Sequence, residues 1–145
     1  MATPTAESGN PSEPKKLYAA FYYPVDDDAF KRAAKTWKEA IENSPGFRKG
    51  IDEVRPLTPV TTEFWLKEEW NELDEYSRDK GFKVMRVNLF THASKGGRVD
   101  GLEFRREDGD GTLSKTDIQG LRKLDWHPQG VVILSGCVAG NDEFT

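Results

Sequence analysis

The sequence predicts an α/β domain in which helices cover both faces of a mainly parallel β-sheet. Strand-like and helix-like segments alternate along the chain, which is the pattern of parallel α/β folds. Residues 131–134 form a continuous aliphatic run, typical of a parallel strand that is buried on both faces. The length of 145 residues suits one such domain.

The amino-terminal segment differs in composition from the rest of the chain. Residues 1–16 are rich in Pro, Ser, Thr and Glu and contain almost nothing to bury, so we expect a disordered leader. The domain is expected to span residues 17–145. Its first element is a strand over the aromatic run 17–23, which ends at Pro24.

Two helices are predicted in the first half of the domain. Apolar residues at helical spacing predict the first over residues 27–43, after the acidic run Asp26, Asp27 and Asp28. Acidic side chains suit the positive end of a helix, and we prefer this interpretation of the run to a metal site. The tripeptide Ser-Pro-Gly at residues 44–46 ends the helix.

The second helix follows a loop over residues 47–60 that contains one short strand near 51–55. It is predicted to start at a capping Thr61 or Thr62 and to end at Lys80, before a glycine. Its large apolar residues are expected to pack in the core and at an interface: Phe64, Trp65, Trp70, Leu73 and Tyr76.

The second half of the domain begins with a strand over residues 82–91, where apolar residues first alternate and then run together. Residues 101–105 predict a short strand in a hairpin or arm. A polar loop over residues 107–112 separates this strand from the next helix.

The last helix is predicted over residues 114–124. Ser114 and Asp117 have the spacing of a capping box, in which each side chain satisfies a backbone N–H of the first turn. A turn over residues 125–130 then leads into the strand 131–134.

A histidine and a cysteine follow two of the predicted strands of this half. His92 comes directly after residues 82–91, and Cys137 comes shortly after residues 131–134. Parallel sheets form their sites at the carboxyl ends of strands, and a right-handed crossover would make these strands neighbours. The imidazole could then take the thiol proton and leave a thiolate nucleophile.

The other histidine, His127, precedes the cysteine strand and so belongs to the opposite edge. About six strand residues at ~3.3 Å each would separate it from Cys137 by roughly 20 Å. We expect it to be a turn residue beside Pro128. Cys137 is the only cysteine, so the chain forms no internal disulfide and no Cys-only metal cluster. A lone cysteine can also be a small buried apolar residue.

The segments that carry this pair resemble the caspase-like cysteine peptidases and, among those, the CHAT branch. The matching pieces lie between residues 87 and 140: VNLFTH, then L-x-x-x-D-I-x-x-L over 113–121, then VVILSGCVAG. The resemblance implies that Cys137 is the nucleophile and His92 the general base and acid. It also implies an oxyanion hole from the backbone N–H groups of Cys137 and Ala93, a protein or peptide substrate, and no cofactor.

Two departures from the family pattern support an alternative. The family has glycine after its histidine, where this chain has Ala93, and it continues with a helix and strands after its cysteine. This chain ends eight residues after Cys137. The alternative is a catalytically inactive interaction module of the same fold, whose sheet a protein partner completes.

A third hypothesis is a calcium-binding loop over residues 106–117. Asp108, Asp110 and Asp117 take ligand positions of an EF-hand pattern, but Arg106 occupies the first position and cannot coordinate a cation. We prefer the interpretation of an acidic turn that starts a helix.

The overall charge excludes some partners. The net charge is −4 and the sequence pI is about 5.3, which disfavours nucleic acid and anionic membranes. No apolar stretch approaches the ~20 residues of a membrane helix, and no secretory signal begins the chain. A cytoplasmic location is therefore expected.

Overall fold

The computed structural model describes residues 13–24, 28–93, 101–103, 112–114 and 118–137. It contains two helices, α1 (Ala29–Glu42) and α2 (Glu63–Lys80). The strands are β1 (Lys15–Tyr22), β2 (Glu53–Val54), β3 (Thr58–Pro59), β4 (Phe82–Ala93), β5 (Gly101–Glu103), β6 (Thr112–Ser114) and β7 (Trp126–Cys137).

The strands form one mainly parallel sheet, so the predicted α/β class is confirmed. β1 pairs with β2, β3 and β4 in parallel, and β4 pairs with β7 in parallel. β5 and β6 form an antiparallel hairpin that joins the sheet at the end of β4, as predicted for residues 101–103. Residues 104 and 105 of that predicted strand lie outside the described part.

Alternation along β1 divides the core between the two faces of the sheet. Leu17, Ala19 and Phe21 pack in one cluster with residues of α2, which defines the α2 face. Tyr18 and Tyr22 pack in separate clusters with residues of α1, which defines the α1 face. Helices therefore cover both faces, as the sequence predicts. β1 begins at Lys15, two residues before the predicted start, and residues 1–12 of the predicted leader lie outside the described part.

Helix α2 has the predicted ends. The Thr62 hydroxyl accepts a hydrogen bond from the backbone N–H of Trp65 at 3.0 Å. Gly81 closes the helix in the left-handed region, with φ of 80°, where glycine carries no steric penalty. Its buried stripe faces the sheet and consists of Leu66, Trp70, Leu73, Asp74 and Ser77.

The core prediction is wrong for two aromatic residues of α2. Phe64 and Trp65 are 62% and 51% exposed. Both lie roughly 100° or more around the helix from the stripe through Leu66 and Trp70, because each residue advances the helix by about 100°. Hydrophobicity alone did not reveal which face they occupy.

Helix α1 matches its predicted range within two residues at the start and one at the end, and residues 25–27 lie outside the described part. Asp28 precedes the first helical residue without a side-chain capping bond. Ala34 and Ile41 are the buried residues of the helix. The helix contacts β1, β2 and β4.

The predicted helix over residues 114–124 is wrong at both ends. Ser114 is the last residue of β6, and among the described residues of this segment only Ile118 and Gln119 have helical backbone. Pairing of β6 with β5 replaces the helical start that the capping-box spacing suggested. The apolar spacing still places Leu121 against the core and buries Leu124 completely.

Both long strands contain an irregularity near the start of their pairing. Leu17 pairs with Val84 and Tyr18 with Arg86, so Met85 is an extra residue in β4. On β7, Trp126 pairs with Val84 and Val131 pairs with Arg86. The predicted turn at 125–130 is therefore a bulge within β7 over residues 127–130.

The prediction that residues 131–134 are buried on both faces is wrong. Val132 and Leu134 pack against the α2 face. Val131 and Ile133 are 44% and 36% exposed. Because β7 pairs only with β4 among the described strands, it forms an edge of the sheet, and its α1 side remains open.

A buried ion pair lies at the amino end of the sheet. Arg48 Nη2 contacts Asp52 Oδ1 at 3.0 Å, and the backbone N–H groups of Arg48 and Lys16 donate to the same carboxylate. Burial alone would raise the pKa of Asp52, but these hydrogen bonds and the charge of Arg48 hold it below its ordinary value. Arg48 also donates to the carbonyl of Pro14, which ties the start of β1 to this loop.

Of the helices in the described part, none combines the length and the apolar character needed to cross a membrane.

Candidate functional site

The site is defined by the ends of β4 and β7. The two strands run parallel and in continuous register from Arg86 opposite Val131 to His92 opposite Cys137. Neighbouring strands are about 4.8 Å apart, so the backbones of these two residues are adjacent. The prediction that the two strands are neighbours, with His92 and Cys137 at one edge, is confirmed at the level of the backbone.

The bulge in β7 sets this register. Residues 127–130 stand opposite the single residue Met85, and pairing resumes directly after them. Gly130 is the last residue of this bulge. A Cβ atom at this position would be 2.5 Å from Trp126 Cε3 and 2.7 Å from the carbonyl oxygen of Val84. Only glycine fits this approach without a shift of the backbone.

A hydrogen bond links the two strands just before the site. Asn88 Nδ2 donates to Ser135 Oγ at 3.2 Å, and Asn88 is only 4% exposed. The amide oxygen of Asn88 has no hydrogen-bond partner among the described residues. The link favours one alignment of the strand ends that carry His92 and Cys137.

Asn88 and Ser135 were not anticipated from the sequence. The signal that could have found them is a polar residue within each otherwise apolar strand, in VNLF and in VVILS. A buried amide normally has a partner, and the neighbouring strand is the nearest source of one.

The backbone beneath the site is firmly packed. Val87, Leu89 and Thr91 are at most 1% exposed on the α2 face. On the α1 face Phe90 meets Trp37 edge to face, with ring centroids 6.4 Å apart. Close packing of both faces leaves the end of β4 little freedom to shift its register.

Ala93, the second predicted oxyanion donor, is the last residue of β4 and pairs with Leu102 of β5. The predicted calcium ligands Asp108, Asp110 and Asp117 lie outside the described residues. Within the part of the chain that is described, no group of three or more His, Cys, Asp or Glu residues could hold a metal ion.

His127 lies at the opposite end of β7, in the bulge within that strand, and not in the turn that the sequence predicts. Its Nδ1 atom accepts a hydrogen bond from the backbone N–H of Gln129 at 3.0 Å. Its Nε2 atom is 4.0 Å from a carboxylate oxygen of Glu13. Because β7 runs its full length between His127 and Cys137, the two residues belong to different edges of the sheet.

No protein-family model, curated protein or solved structure matches this chain. The argument for its chemistry therefore depends on its own residues and their register.

Proposed function

We propose that this chain is a caspase-like cysteine peptidase, or a part of one, that hydrolyses amide bonds in proteins or peptides with Cys137 and His92. The observation that supports the proposal is the register of β4 and β7, which makes these two residues neighbours at the carboxyl edge. Because paired residues of adjacent strands have backbones about 4.8 Å apart, this register is compatible with proton exchange between a thiol and an imidazole.

The reaction follows from the two groups. His92 takes the thiol proton, and the Cys137 thiolate adds to the carbonyl carbon of the substrate amide. The carbon–nitrogen bond then breaks, and the imidazolium returns its proton to the leaving amine. Water, deprotonated by His92, adds to the thioester; the carbon–sulfur bond breaks, and the acid product and the free thiol are released.

The backbone N–H groups of Cys137 and Ala93 would stabilise the negative oxygen of each tetrahedral intermediate. Donors aimed at the developing charge are a large source of rate enhancement in acyl transfer. The chemistry requires no metal and no organic cofactor. A cytoplasmic location suits it, because a reducing compartment keeps a lone thiol free.

The test is the rate of alkylation by iodoacetamide as a function of pH. Cys137 is the only cysteine, so every modification reports on this residue. In the wild type we expect an apparent thiol pKa well below ~8.5, and in His92→Ala a return to about that value.

His127→Ala is the matched control, since it removes the other histidine from the opposite end of β7. It should alkylate like the wild type. Equal pH profiles for wild type and His92→Ala, or a thiol that reacts only after unfolding, would contradict the proposal. If the profiles differ as expected, a peptide-library screen measures the cleavage specificity, with Cys137→Ser as the inactive control.

The open side of β7 favours a second candidate, an inactive interaction module. Its outer edge has no strand partner among the described residues, and Val131 and Ile133 are exposed beside it. An unpaired edge strand with exposed apolar residues is suited to accept a strand from a protein partner.

Substitution of Val131 with Lys separates the two candidates. The change puts a charge beside the open edge and leaves the residues of the site, His92 and Cys137, and the Asn88–Ser135 hydrogen bond unchanged. If the chain is a module of this kind, the variant loses a partner that copurifies with the wild type, and alkylation of Cys137 shows no dependence on His92. If the variant keeps its partner, the second candidate is excluded.

A further inference from the structure

The solvent-facing side of α2 carries a pair of exposed aromatic residues. The rings of Phe64 and Trp65 contact each other, with centroids 5.6 Å apart, and both side chains are more than half exposed. Large aromatic side chains in contact on a surface are a frequent feature of protein-binding sites. The pair is not explained by the core, which the other stripe of the helix forms.

Three carboxylates follow the aromatic pair along the same side of the helix. Glu68 is four residues after Phe64, Glu69 is four after Trp65, and Glu72 is four after Glu68, so successive members are neighbours on the helix surface. We call the five residues Phe64, Trp65, Glu68, Glu69 and Glu72 the aromatic–acidic face.

The other acids of α2 have cations beside them. Glu63 is 3.5 Å from Lys67, and Asp74 is 2.7 Å from Arg78. Glu75 lies 3.4 Å from Arg122 and Asp79 lies 3.9 Å from Lys80. In contrast, Glu68, Glu69 and Glu72 form no ion pair with any described residue.

The pKa of Glu69 is affected by the other carboxylates of this face. Burial, a hydrogen bond with Glu72, and the charges of Glu72 and Glu68 raise the pKa of Glu69 above its ordinary value. The helix therefore pairs four of its acids with cations and leaves these three without a cation among the described residues, beside exposed rings.

Another part of the molecule shows which group binds between an aromatic ring and a carboxylate. The Arg55 guanidinium lies 3.9 Å from the centroid of the Tyr76 ring and 3.2 Å from the carboxylate of Glu53. An arginine is thus held between an aromatic ring of α2 and a carboxylate. Guanidinium groups suit this arrangement because they stack on rings and pair with carboxylates at once.

We propose that the aromatic–acidic face of α2 is a docking surface for an arginine-bearing segment of a protein partner. Guanidinium groups of the partner stack on Phe64 and Trp65 and pair with Glu68 and Glu72. The surface shares no residue with the His92–Cys137 pair, so the proposal does not depend on the chemistry of those residues.

The experiment uses a fluorescein-labelled octapeptide of alternating Arg and Gly, with an octapeptide of alternating Glu and Gly as the opposite-charge probe. Binding to the full chain is followed by fluorescence anisotropy at low ionic strength, where exposed charges are least screened. We expect saturable binding of the arginine peptide and none of the glutamate peptide.

Two variants remove the two halves of the surface. Phe64→Ala/Trp65→Ala removes the rings, and Glu68→Gln/Glu72→Gln removes two charges. Each is expected to weaken binding about tenfold, corresponding to ~1.4 kcal/mol. The matched control is Asp28→Asn/Glu39→Gln, which removes two exposed charges at α1 on the other face of the sheet and should change binding less than twofold.

The replaced side chains are exposed, so we expect the helical circular dichroism of the variants to match that of the wild type. Any loss of peptide binding is then due to the surface and not to unfolding. No binding of the arginine peptide to the wild type would overturn the proposal. Equal losses in the two charge variants would also overturn it, because they would indicate attraction by overall charge.

Discussion

The two faces of the sheet are held together by different interactions. The α2 face contains one cluster of thirteen buried apolar residues that reaches from β1 across β4. On the α1 face, seven buried apolar residues among those described are divided between two smaller clusters. The buried side-chain polar atoms that lack a partner in the described part, on Trp37, Arg86 and Asn88, all lie on the α1 side.

The difference shows how one fold can combine a stable support with an adaptable surface. Continuous apolar packing on the α2 face holds β1 and β4 in place. The α1 face relies on a buried ion pair at its amino end and leaves Val131 and Ile133 exposed on β7. We therefore expect mutations to act by different mechanisms on the two faces.

The largest effect is expected for Asp52→Asn, which removes the charge of the carboxylate that pairs with the buried Arg48 guanidinium. Breaking a buried ion pair in this way costs about 3–5 kcal/mol of unfolding free energy. Urea titration at neutral pH measures the loss. Asp79→Asn, at an exposed position, is the control and should change stability by less than ~0.5 kcal/mol.

The same pair makes stability depend on pH. The pKa of the Asp52 carboxyl is lower in the folded protein than its unfolded value of 3.8. Its contribution to the free energy of unfolding is therefore complete above pH 3.8 and is lost as the pH falls through the folded pKa. The wild type should lose more stability than Asp52→Asn between pH 5 and pH 3. Parallel acid profiles would show that the pair contributes little.

Leu89→Ala tests the α2 face directly. Leu89 is 1% exposed, and its truncation should leave a cavity and cost about 2–5 kcal/mol. Ile133→Ala, on the open side of the neighbouring strand, should cost on the order of 0.5 kcal/mol. Similar losses for the two variants, measured by thermal and urea unfolding, would mean that the faces do not differ as described.

Gly130→Ala tests the bulge that aligns β7 with β4. The added methyl group meets the carbonyl oxygen of Val84, so we expect a loss of about 1–3 kcal/mol and slower alkylation of Cys137. Gly46→Ala is the matched control, because a Cβ there meets nothing within 4 Å. A stable Gly130→Ala variant with unchanged Cys137 reactivity would rule out this role.

The smallest effect is expected at the start of α2. Thr62→Ala removes the hydroxyl that caps Trp65 and should cost about 1 kcal/mol. Thr61→Ala, one residue earlier, should have little effect. If the two substitutions are equivalent in thermal unfolding, the cap contributes nothing to the helix that supports the α2 face.

Local signals explain which elements were predictable. The ends of α2 follow from Thr62 and Gly81, whose effects act within one turn of the helix. The strands β1 and β4 follow from their own apolar runs. The strand β2, Glu53–Val54, lies within the short strand predicted near 51–55. In contrast, β3 has two residues in the predicted loop and exists because β1 offers it a partner, which no local pattern reveals.

The candidate site was predictable in part, because strand order brings the ends of β4 and β7 together. Its alignment was not, since the bulge at residues 127–130 has the composition of a turn. The Asn88–Ser135 bond depends on that alignment and could not be predicted without it. The helix expected at 114–124 failed because pairing with β5 occupies Ser114.

The extra residue Met85 divides β4 into two halves with opposite parity. Phe82 and Val84 share the α2 face with Val87 and Leu89, although even and odd numbers should face opposite ways along a regular strand. Deleting this one residue would move every later side chain of the strand from one face of the sheet to the other, which exchanges its α1 and α2 faces. The presence or absence of one codon in the gene therefore determines which face of the sheet each later position of β4 occupies.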